Sequence, residues 1–419
     1  MKGSAKKAAY KKTLVGWMPN DWTVERLKAC ANVIFSNVDK HIVAGEKEVY
    51  LCNYTDVYKN TYIFGGINFS KGTVKEAEFL KFRLKKGDVV ITKDSEDRTD
   101  IAVPAFVIEN IPDLVCGYHL AVIRPKSSIL DGLFLYYALS SYNVNHYFQR
   151  RANGITRFGL DTETVRSSLI PLPSFKEQKN IATLLATWDK AIVTTSGLIA
   201  QKETRKKWLT QQLFSGKTRL KGHRDKWIYK PIKSFAKEVS IKNINNQELT
   251  VLSCTKYDGL VPSLEYFGRR IFANDLSSYK IVPQNHFAYA TNHIEEGSIG
   301  YQSNLKEGLV SPMYTVFKTQ IVNDNYLFRL LKSYAYIHEY QKRMEGSINR
   351  RGGLRWDEFS KIKIPIPSFE EQTAINNILQ SADIEIQILR AEEQKFKEQK
   401  KGLMQVLLSG KVRVNKLTN

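Results

Sequence analysis

The chain has 419 residues, which at about 150 residues per domain predicts two or three domains. Hydrophobic residues make up 42% and charged residues 25% of the chain, an ordinary globular composition that excludes a disordered or fibrous protein. Lys and Arg total 63 against 42 Asp and Glu, and the net charge of +21 favours a polyanionic partner, most simply nucleic acid, over a basic surface without such a partner.

The cysteines and the apolar runs exclude further classes. The four cysteines, Cys30, Cys52, Cys116 and Cys254, are far apart and form no CxxC pair, which argues against a thiolate zinc site and a disulfide framework. No apolar run approaches the ~20 residues of a membrane span. Residues 1–20 form a basic tail whose apolar TLVGWM stretch is too short for a signal peptide. We expect a soluble, cytoplasmic protein with no membrane partner.

The tail leads into a first predicted domain, residues 21–173. Short β-rich runs such as 89–92 and 101–108 precede a helical run at 132–142. This mixture of short strands and helices predicts a mixed α/β domain.

A long helix is predicted next, at residues 174–216, and the chain repeats it at 368–410. IPLPSF at 170–175 returns as IPIPSF 194 residues later, and 20 of the 50 positions from Ile170 and from Ile364 are identical. Each copy opens with Ser and a Glu three residues on, the spacing of a capping box, and ends at Ser-Gly, a typical helix stop. The self-similarity predicts one structural unit used twice.

Apolar residues in both copies recur at alternating steps of four and three, which is typical of a coiled-coil seam. Seven of ten such positions are apolar in the first copy and eight of ten in the second. Twelve of these apolar positions are selected as the predicted helix seam, namely Ile181, Leu185, Trp188, Ile192, Leu209 and Leu213, then Ile375, Leu379, Ile386, Leu389, Leu403 and Leu407. The alternative is two unrelated amphipathic helices packed on separate cores.

An antiparallel pairing of the two helices makes specific predictions. It sets Ile181 against Leu407, and the indole of Trp188 against the stem of Lys400. It also sets Thr195 against Glu393 near the middle, where a polar pair would fix the register.

Between the helices lies a second predicted α/β domain, residues 217–367, and residues 411–419 form a C-terminal tail. YQKRMEG at 340–346 echoes FQRRANG at 148–154. The predicted fold class is therefore α+β: two mixed α/β domains separated by two long antiparallel coiled-coil helices, in a pseudo-two-fold repeat.

These segments together resemble the specificity subunits of type I restriction-modification systems. The resemblance rests on YKKTLVGWMPNDW near the start, both IPxPSFxEQ helix openings, both SGK helix ends, and YDGLVPS, SYKIV, GSIG and GLVSPMY in the second domain. It covers nearly the whole chain.

The resemblance implies a function. Each globular domain would be a target recognition domain that reads one half of a split, asymmetric sequence in double-stranded DNA, and the long helices would act as a ruler between the half-sites. The subunit would be non-catalytic and would dock two modification subunits, which are adenine methyltransferases, and through them the restriction subunits. S-adenosyl-methionine, ATP and Mg would be bound by those partners, and none by this chain.

Candidate DNA contacts are Arg, Lys, Asn and aromatic side chains in loops, because Arg and Lys bind phosphates and guanine, Asn reads adenine and rings stack on bases. The candidate phosphate contacts flank glycine loops and are Arg150, Arg151, Arg157, Arg343, Arg350, Arg351 and Arg355. The candidate base readers are Tyr54, Tyr58, Lys59, Asn60, Lys93, Ser95, Arg98, Lys256, Tyr257, Asn292 and His293. For each arginine the alternative is a cap or ion pair on a neighbouring helix, and for each reader an ordinary solvated loop.

Other functions receive less support from the sequence. We find no GxxxxGK phosphate loop, no HExxH and no GxSxG motif, and no metal ligand set is predicted. A stand-alone DNA-binding regulator and the specificity subunit of another multi-subunit modification enzyme stay open as alternatives. A nuclease with an unrecognised site is the least supported.

Overall fold

A computed structural model describes residues 9–345 and 353–414. The described chain divides into two compact units. The first contains the residues up to Ser196 together with those from Ala391 onward, and the second spans Gly197–Arg390. The divisions fall inside the two predicted long helices, and the predicted domain boundaries stay predictions. No described helix is long and apolar enough to cross a membrane.

The first unit contains short strands, short helices and the start of a long helix. Its strands are β1 (Tyr10–Thr13), β2 (Gly16–Pro19), β3 (Thr23–Arg26), β4 (Ala31–Phe35), β5 (Lys47–Cys52), β6 (Tyr62–Ile63), β7 (Ser70–Val74), β8 (Val89–Thr92), β9 (Asp94–Ser95), β10 (Pro104–Val107), β11 (Leu114–Cys116), β12 (Leu120–Pro125), β13 (Phe158–Gly159) and β14 (Leu169–Leu172). Its helices are α1 (Leu27–Cys30), α2 (Tyr54–Lys59), α3 (Glu76–Phe82), a 3₁₀ turn at Arg98–Asp100, α4 (Gly132–Ser140), α5 (Tyr142–Arg151), α6 (Thr162–Arg166) and α7 (Phe175–Phe214), which continues into the second unit.

A five-stranded sheet in the order β4-β12-β8-β10-β6 forms the centre of the first unit. Helix α4 packs on it and is buried along almost its whole length, with Phe134, Leu135 and Tyr137 fully covered. A smaller sheet, β11-β5-β7, has its own apolar cluster. The two inner strands of the central sheet, β8 and β12, are buried along continuous runs, whereas burial alternates along the outer strand β4 and along β10.

The second unit has fewer elements. Its strands are β15 (Ile228–Pro231), β16 (Ala236–Val239), β17 (Leu252–Thr255), β18 (Gly259–Pro262), β19 (Lys280–Pro283), β20 (His286–Ala290), β21 (Ile299–Gln302), β22 (Glu307–Val310), β23 (Tyr314–Thr319) and β24 (Lys363–Ile366). Its helices are α8 (Ser263–Phe267), α9 (Asp324–Leu331), α10 (Tyr334–Glu345), α11 (Trp356–Phe359) and the start of α12 (Phe369–Leu407), with 3₁₀ turns at Ile232–Ser234 and Ile294–Glu296.

The strand order of the second unit repeats that of the first. Its sheet runs β16-β23-β20-β21, which matches β4-β12-β8-β10 strand for strand. The two-stranded pair β15-β24 of the second unit likewise matches the pair β3-β14 of the first. The predicted fold class, two α/β domains in a pseudo-two-fold repeat with two long helices, is confirmed, and each half carries the same framework with different loops.

Both long helices have one side turned away from solvent. Every predicted seam residue is buried or half-buried, and most of the residues between seam positions are exposed. Ile181 and Leu407 belong to one apolar cluster of the first unit, and Leu213 and Ile375 to one of the second. Within each unit the beginning of one long helix therefore packs against the end of the other, which is antiparallel pairing.

Two of the predicted seam contacts are wrong in detail. The indole of Trp188 meets the ring of Phe396 edge to face at 5.9 Å, and Lys400 instead binds the carboxylate of Asp189. Glu393 accepts a hydrogen bond from Ser196, the neighbour of the predicted Thr195. Long side chains on a helix extend beyond the residue directly opposite them. The register of the two helices therefore does not by itself determine which side chains make contact.

The predicted capping boxes are half correct. Ser174 and Ser368 accept from the backbone N–H of Glu177 and Glu371, each at 3.3 Å, as predicted. The two glutamate carboxylates do not fold back onto the backbone. The carboxylate of Glu177 accepts from the indole N–H of Trp22 at 3.1 Å and is bound by the guanidinium of Arg413 at 2.7 and 2.9 Å.

The second copy repeats this junction. The Glu371 carboxylate accepts from the Trp227 indole at 2.8 Å and from two nitrogens of Arg219 at 2.8 Å each. Both glutamate side chains are 1% exposed. The glutamine that follows each of them binds the start of a helix in its own unit, Gln178 at Asp131 and Gln372 at Asn323. The repeated EQ pair is therefore the joint between each α/β unit and its long helix.

A second repeated ion pair lies further along the helices. Asp189 binds Lys400 in the first unit, and Asp383 binds Lys206 and Arg329 in the second. Burial alone would raise the pKa of Asp383, but the hydrogen bonds and charges of its two cationic partners hold that pKa below its ordinary value.

This shift predicts an acid-dependent loss of stability. A carboxyl group with a lowered folded-state pKa stabilises the fold above its unfolded pKa of about 3.9, and the contribution disappears as the pH falls through the folded value. We expect Asp383→Asn to cost about 2 kcal/mol near pH 7, because two charge-assisted bonds are lost, and much less near pH 3.

Urea unfolding of the whole chain across this pH range, followed by hydrogen exchange in peptides of the second unit, measures the effect. Glu385→Gln is the control, because Glu385 pairs with Lys202 at the surface, where ion pairs contribute little. A cost of Asp383→Asn that stays constant down to pH 3 would contradict the assignment.

Candidate nucleic-acid interface

One edge of the central sheet of the first unit collects most of its predicted DNA-reading residues. Strands β4 and β8 end there and β12 begins there, because β12 is antiparallel to both. The loop after β8 and the turn before β12 lie side by side, and the backbone N–H of Lys93 donates to His119 O at 3.0 Å. The topology thus brings residues 26 positions apart to a common surface.

Lys93 is held in a fixed position at this edge. Its ammonium donates to Ser36 O at 2.9 Å and lies 4.6 Å from the ring centre of Tyr118 and 5.6 Å from that of Phe35. Burial lowers the pKa of Lys93. An amine placed this firmly beside exposed loops is suited to direct contact with a base edge.

The β9–β13 pairing brings the two predicted arginine loops together. Arg157 donates to Asp94 Oδ1 at 2.8 Å and lies 3.0 Å from His119 Nδ1, yet its side chain stays 56% exposed. Arg98 donates to Ala152 O at 3.2 Å and stacks near the ring of Phe158. Both guanidinium groups are oriented by the protein and still open to a ligand.

The aromatic candidates of the first unit lie on helix α2. The rings of Tyr54 and Tyr58 stack with centres 5.6 Å apart. A hydrogen bond to Asp100 raises the pKa of Tyr58 and ties the helix to the loop after β8. Lys59 is exposed at the end of the helix.

Two candidates support loops instead of facing solvent. Asn60 donates to Asp56 O at 2.8 Å and caps α2. Ser95 is 7% exposed and accepts from the backbone of Asp97. Each has one polar atom bonded within the fold, and their role as base readers stays a prediction.

The glycine loop after α5 has the predicted form. Arg150 and Arg151 are exposed in the last turn of the helix, and the guanidinium of Arg151 lies 5.1 Å from the ring centre of Tyr147. Gly154 has φ +135°, and a Cβ there would lie 1.9 Å from the carbonyl oxygen of Arg157. Only glycine fits this turn, which leaves an open backbone beside two cations.

The second unit builds the equivalent edge from different residues. β16 and β20 end there and β23 begins there. Asn292 and His293 follow β20, and His293 is exposed. Gly353 and Arg355 come to the same place, because Leu354 N donates to Thr291 O at 2.7 Å. Arg355 is exposed at the start of α11.

Lys256 and Tyr257 lie at the tip of the β17–β18 hairpin. Tyr257 is 78% exposed, and the ammonium of Lys256 lies 5.5 Å from its ring centre. The backbone of this hairpin is fastened by Lys332, which donates to Thr255 O at 3.1 Å and Gly297 O at 3.2 Å. Burial lowers the pKa of Lys332.

The three remaining arginine candidates for phosphate contacts are Arg343, Arg350 and Arg351. Arg343 donates to Glu339 at 2.9 Å and lies 3.9 Å from a carboxylate oxygen of Glu358, so the ion-pair alternative describes it better than a phosphate contact. Arg350 and Arg351 lie outside the described residues.

Sequence reasoning missed three residues of these edges. Tyr118 is 50% exposed and packs edge to face on His119, which binds Asp94 at 2.9 Å. Lys332 lies in the middle of a helical run. In the sequence, Tyr118 and His119 could be recognised only by their position just before an apolar strand, and no sequence feature marked Lys332.

One group of the described residues has the composition of a metal site. One ligand atom each of His293, Glu295 and Glu296 lie within 4.8 Å of one another. They lie in one short turn in which His293 and Glu296 are exposed and Glu295 is half-buried, and His293 pairs with Glu296 at 3.6 Å. The contact between His293 and Glu296 accounts for their proximity without a bound metal ion.

Both units thus present a sheet edge with cationic and aromatic side chains in its loops. The family model for the type I restriction modification DNA specificity domain matches residues 19–203 and 231–398. The chain belongs to this family, which confirms the resemblance seen in the sequence.

Known proteins resemble the chain along nearly its whole length. The putative type I restriction enzyme MjaX specificity subunit of Methanocaldococcus jannaschii is 24% identical over 437 aligned residues, covering 98% of each chain. The MjaVIII specificity subunit of the same organism is 26% identical and covers 96% of this chain and 95% of its own.

Solved structures share the fold. The S subunit of a type I restriction-modification system from M. genitalium matches 92% of this chain and 96% of its own, with a TM-score of 0.54 and 16% identity. A chain from a study of complex assembly and conformational transition in the type I R-M system matches 94% of this chain and 99% of its own, with a TM-score of 0.59 and 14% identity.

Proposed function

We propose that this chain is a non-catalytic specificity subunit that reads a bipartite, asymmetric sequence in double-stranded DNA, one half with each unit. The observation that carries this proposal is the repeated sheet edge. The same four-strand order returns in both units, while the residues at the edges differ: Lys93, Arg98 and Arg157 in the first, Asn292 and Arg355 in the second. Two units that share a framework but carry different residues at the sheet edge are suited to recognising two different half-sites.

The partners follow from the same proposal. We infer that two modification subunits, S-adenosyl-methionine-dependent adenine methyltransferases, bind this chain and that restriction subunits join through them. The chain's own residues position the duplex, and the methyl donor, ATP and Mg are held by those partners. A methyltransferase takes its adenine out of the base stack, so the specificity subunit must hold the duplex on both sides while it is distorted.

The long helices are proposed to set the distance between the half-sites. Helix α7 has 40 residues and α12 has 39, and each begins in one unit and ends in the other. A helix rises by 1.5 Å per residue, so each is about 60 Å long. Half-site spacing is then a property of the helices, and the recognised bases a property of the loops.

Methylome sequencing tests the proposal. Plasmid DNA from cells that express this chain with its neighbouring methyltransferase is compared with DNA from cells that express the methyltransferase alone. We expect adenine methylation at a two-part motif only when this chain is present. No new methylation, although the two proteins purify together, would shift the conclusion to a stand-alone regulator. Metal-dependent cleavage by the purified chain would contradict a non-catalytic role.

The arginines at the end of α5 give a prediction for affinity. If Arg150 and Arg151 neutralise phosphates, replacing either with Ala should lower the salt slope of DNA binding by about 1, because each phosphate contact releases about one counterion. Affinity should fall equally for all half-site sequences. Titrations between 50 and 200 mM salt measure the slope. Arg205→Ala, an exposed position on α7, is the control; an unchanged slope in the α5 variants would refute the phosphate assignment.

A further inference from the structure

One carboxylate joins three segments at the sheet edge of the first unit. Asp94 lies in β9, and its side chain is 16% exposed. Its Oδ1 accepts from Arg157 at 2.8 Å, and its Oδ2 accepts from His119 Nδ1 at 2.9 Å. Both carboxylate oxygens are therefore bonded within the protein, one to the loop before β13 and the other to the turn before β12.

The backbone on either side of Arg157 is fixed by the same strand pairing. The loop of residues 153–159 is closed by two reciprocal hydrogen bonds, from Asn153 N to Gly159 O at 2.9 Å and from Gly159 N to Asn153 O at 2.8 Å. Gly159 in turn pairs with Asp94 in the β9–β13 ladder. Main chain and side chain both tie this loop to Asp94, so the guanidinium has a defined direction before any ligand binds.

The guanidinium of Arg157 keeps most of its hydrogen-bonding capacity. Its Nη2 contacts Asp94 and His119, whereas its Nε and Nη1 have no hydrogen-bond partner among the described residues. An arginine has five N–H donors in one plane, and the side chain of Arg157 is 56% exposed. A planar group that a carboxylate holds from one side can bind two acceptors that lie in one plane on another side.

The carboxylate beside Arg157 distinguishes it from Arg150 and Arg151. Those two arginines are exposed, and neither has a carboxylate partner in the part of the chain that the structure describes. A phosphate contact needs positive charge more than a fixed direction, and the negative charge of Asp94 would weaken it. A base edge carries no net charge, and reading it requires a side chain held in one orientation. The pair therefore favours contact with a base over contact with a phosphate.

Guanine is the base whose edge fits a group that can only donate. In the major groove guanine presents two acceptors, O6 and N7, in one plane. Adenine presents one acceptor and one donor, cytosine a donor, and thymine a single acceptor beside its methyl group. Because an arginine has no acceptor, only guanine can bind two of its N–H groups at once.

The second unit has an uncharged residue at the position of this aspartate. In the first unit Leu160 N donates to Lys93 O at 2.9 Å, and in the second Leu354 N donates to Thr291 O at 2.7 Å. The residue that follows the acceptor is the aspartate in the first unit and Asn292 in the second. The carboxylate-held arginine is thus a feature of the first unit, and its loss should alter only one half-site.

We propose that Arg157 reads a guanine in the half-site of the first unit, and that Asp94 is the positioning residue that makes this contact specific. The inference rests on the proposed function and deepens it by naming one base of the target. It also moves Arg157 from the predicted phosphate contacts to the base readers, while Arg150 and Arg151 stay phosphate contacts.

Removal of the arginine should change the base preference at one position of the motif. Methylome sequencing of the wild type supplies the motif. The full chain with its modification subunit is then titrated, at one fixed salt concentration, with duplexes in which each G·C pair of the motif is replaced in turn. We expect the wild type to prefer guanine at one position by about tenfold to hundredfold, and Arg157→Ala to lose that preference. Arg151→Ala is the matched control, because loss of a phosphate contact weakens binding to all these duplexes equally.

7-Deazaguanine at that position probes the contact itself. This base has a C–H group in place of N7 and still pairs with cytosine, so only the acceptor in the major groove is lost. The wild type should bind the modified duplex about fivefold more weakly than the unmodified one. Arg157→Ala should bind both duplexes equally. It should also unfold as the wild type does, since an ion pair of a half-exposed side chain contributes little to stability.

Asp94→Asn tests the positioning role, because it removes the charge that holds the arginine and keeps the arginine itself. The preference for guanine at the same position should fall about tenfold. Affinity for non-specific DNA should rise, since a negative charge near the phosphates is lost. Asp97→Asn is the control: it removes the same charge from a neighbouring carboxylate whose only partner among the described residues is Thr99. The control should raise non-specific affinity and leave every base preference unchanged.

The outcomes separate this inference from the proposed function. A wild-type complex that is indifferent to 7-deazaguanine at every guanine of the motif would overturn the inference and leave the proposed function standing. Equal weakening of all duplexes by Arg157→Ala would return Arg157 to the phosphate contacts and also overturn it. An unchanged guanine preference in Asp94→Asn would refute the positioning role. If the wild-type chain directs no methylation with its modification subunit, the proposed function fails and the inference fails with it.

Discussion

Replacement of Glu371 by Ala is expected to destabilise the second unit by about 4 kcal/mol, and Glu177→Ala to destabilise the first by about 3 kcal/mol. Each change removes a carboxylate that is 1% exposed and leaves a guanidinium and an indole N–H without their acceptor. Breaking a buried ion pair from one side costs about 3–5 kcal/mol, because the remaining charge stays partly out of water.

The two costs should differ because the two arginines have different second partners. Arg413 also binds Asp21, at 2.7 and 2.9 Å, and keeps that carboxylate when Glu177 is removed. Arg219 has Glu371 as its only carboxylate partner within the described residues, together with the backbone oxygen of Asp225. Glu371→Ala should therefore cost the second unit more stability than Glu177→Ala costs the first.

Hydrogen exchange read peptide by peptide separates the two units, which a single unfolding transition cannot do. Protection should fall in the strand pair β15-β24 for Glu371→Ala and in β3-β14 for Glu177→Ala. Glu370→Ala is the control, since Glu370 is the exposed neighbour on the same helix. Glu371→Gln should lose less than Glu371→Ala, because the amide oxygen still accepts from Trp227. Equal protection in Glu371→Ala and in the control would show that the junction does not stabilise the unit.

These junctions show what a local sequence pattern can establish. Heptad spacing and the repeated Ser-Gly stops depend on neighbours along one helix, so they predicted both long helices to within a few residues. The Ser-x-x-Glu pattern was equally local, and the serine took its predicted place. The glutamate did not, because an arginine and a tryptophan more than 140 residues away offer it stronger donors.

The candidate interface was predictable to a similar degree. Arg98 stands in a polar stretch and Arg157 in a glycine-containing one, and both were identifiable by residue type. That they meet depends on the two-residue pairing of β9 with β13, which has no sequence signature of its own. His119 and Tyr118 were missed for the same reason, since only the order of strands in the sheet places them beside Lys93. Loop assignments therefore need the topology, whereas helix assignments do not.

Lengthening both long helices by the same number of heptads is expected to change the spacing between half-sites and leave the recognised bases unchanged. Antiparallel pairing in the predicted register places an insertion after Ser196 opposite one after Ala391, so the seam continues through both. One heptad adds about 10 Å at 1.5 Å per residue, which equals about three base pairs at 3.4 Å each.

The helical repeat of the DNA grooves makes this expectation more specific. Three base pairs rotate the duplex by about 100°, whereas a heptad returns the coiled-coil seam to the same side, so a one-heptad variant should methylate weakly. Three heptads add about 31 Å, or about nine base pairs, which brings the grooves close to a full turn of 10–10.5 base pairs. Methylation should recover there, at a motif with the same letters and a spacer about nine base pairs longer.

Methylome sequencing of cells that carry each variant with the modification subunit reads both quantities at once. A heptad inserted into α7 alone is the control, because it leaves seven residues without a partner on α12 and should abolish methylation. New letters with the old spacer would defeat the ruler proposal, since the loops at the sheet edges are unchanged in every variant. An unchanged motif in the three-heptad variant would show that the helices do not set the spacing, while leaving the reading of each half-site by its own unit intact.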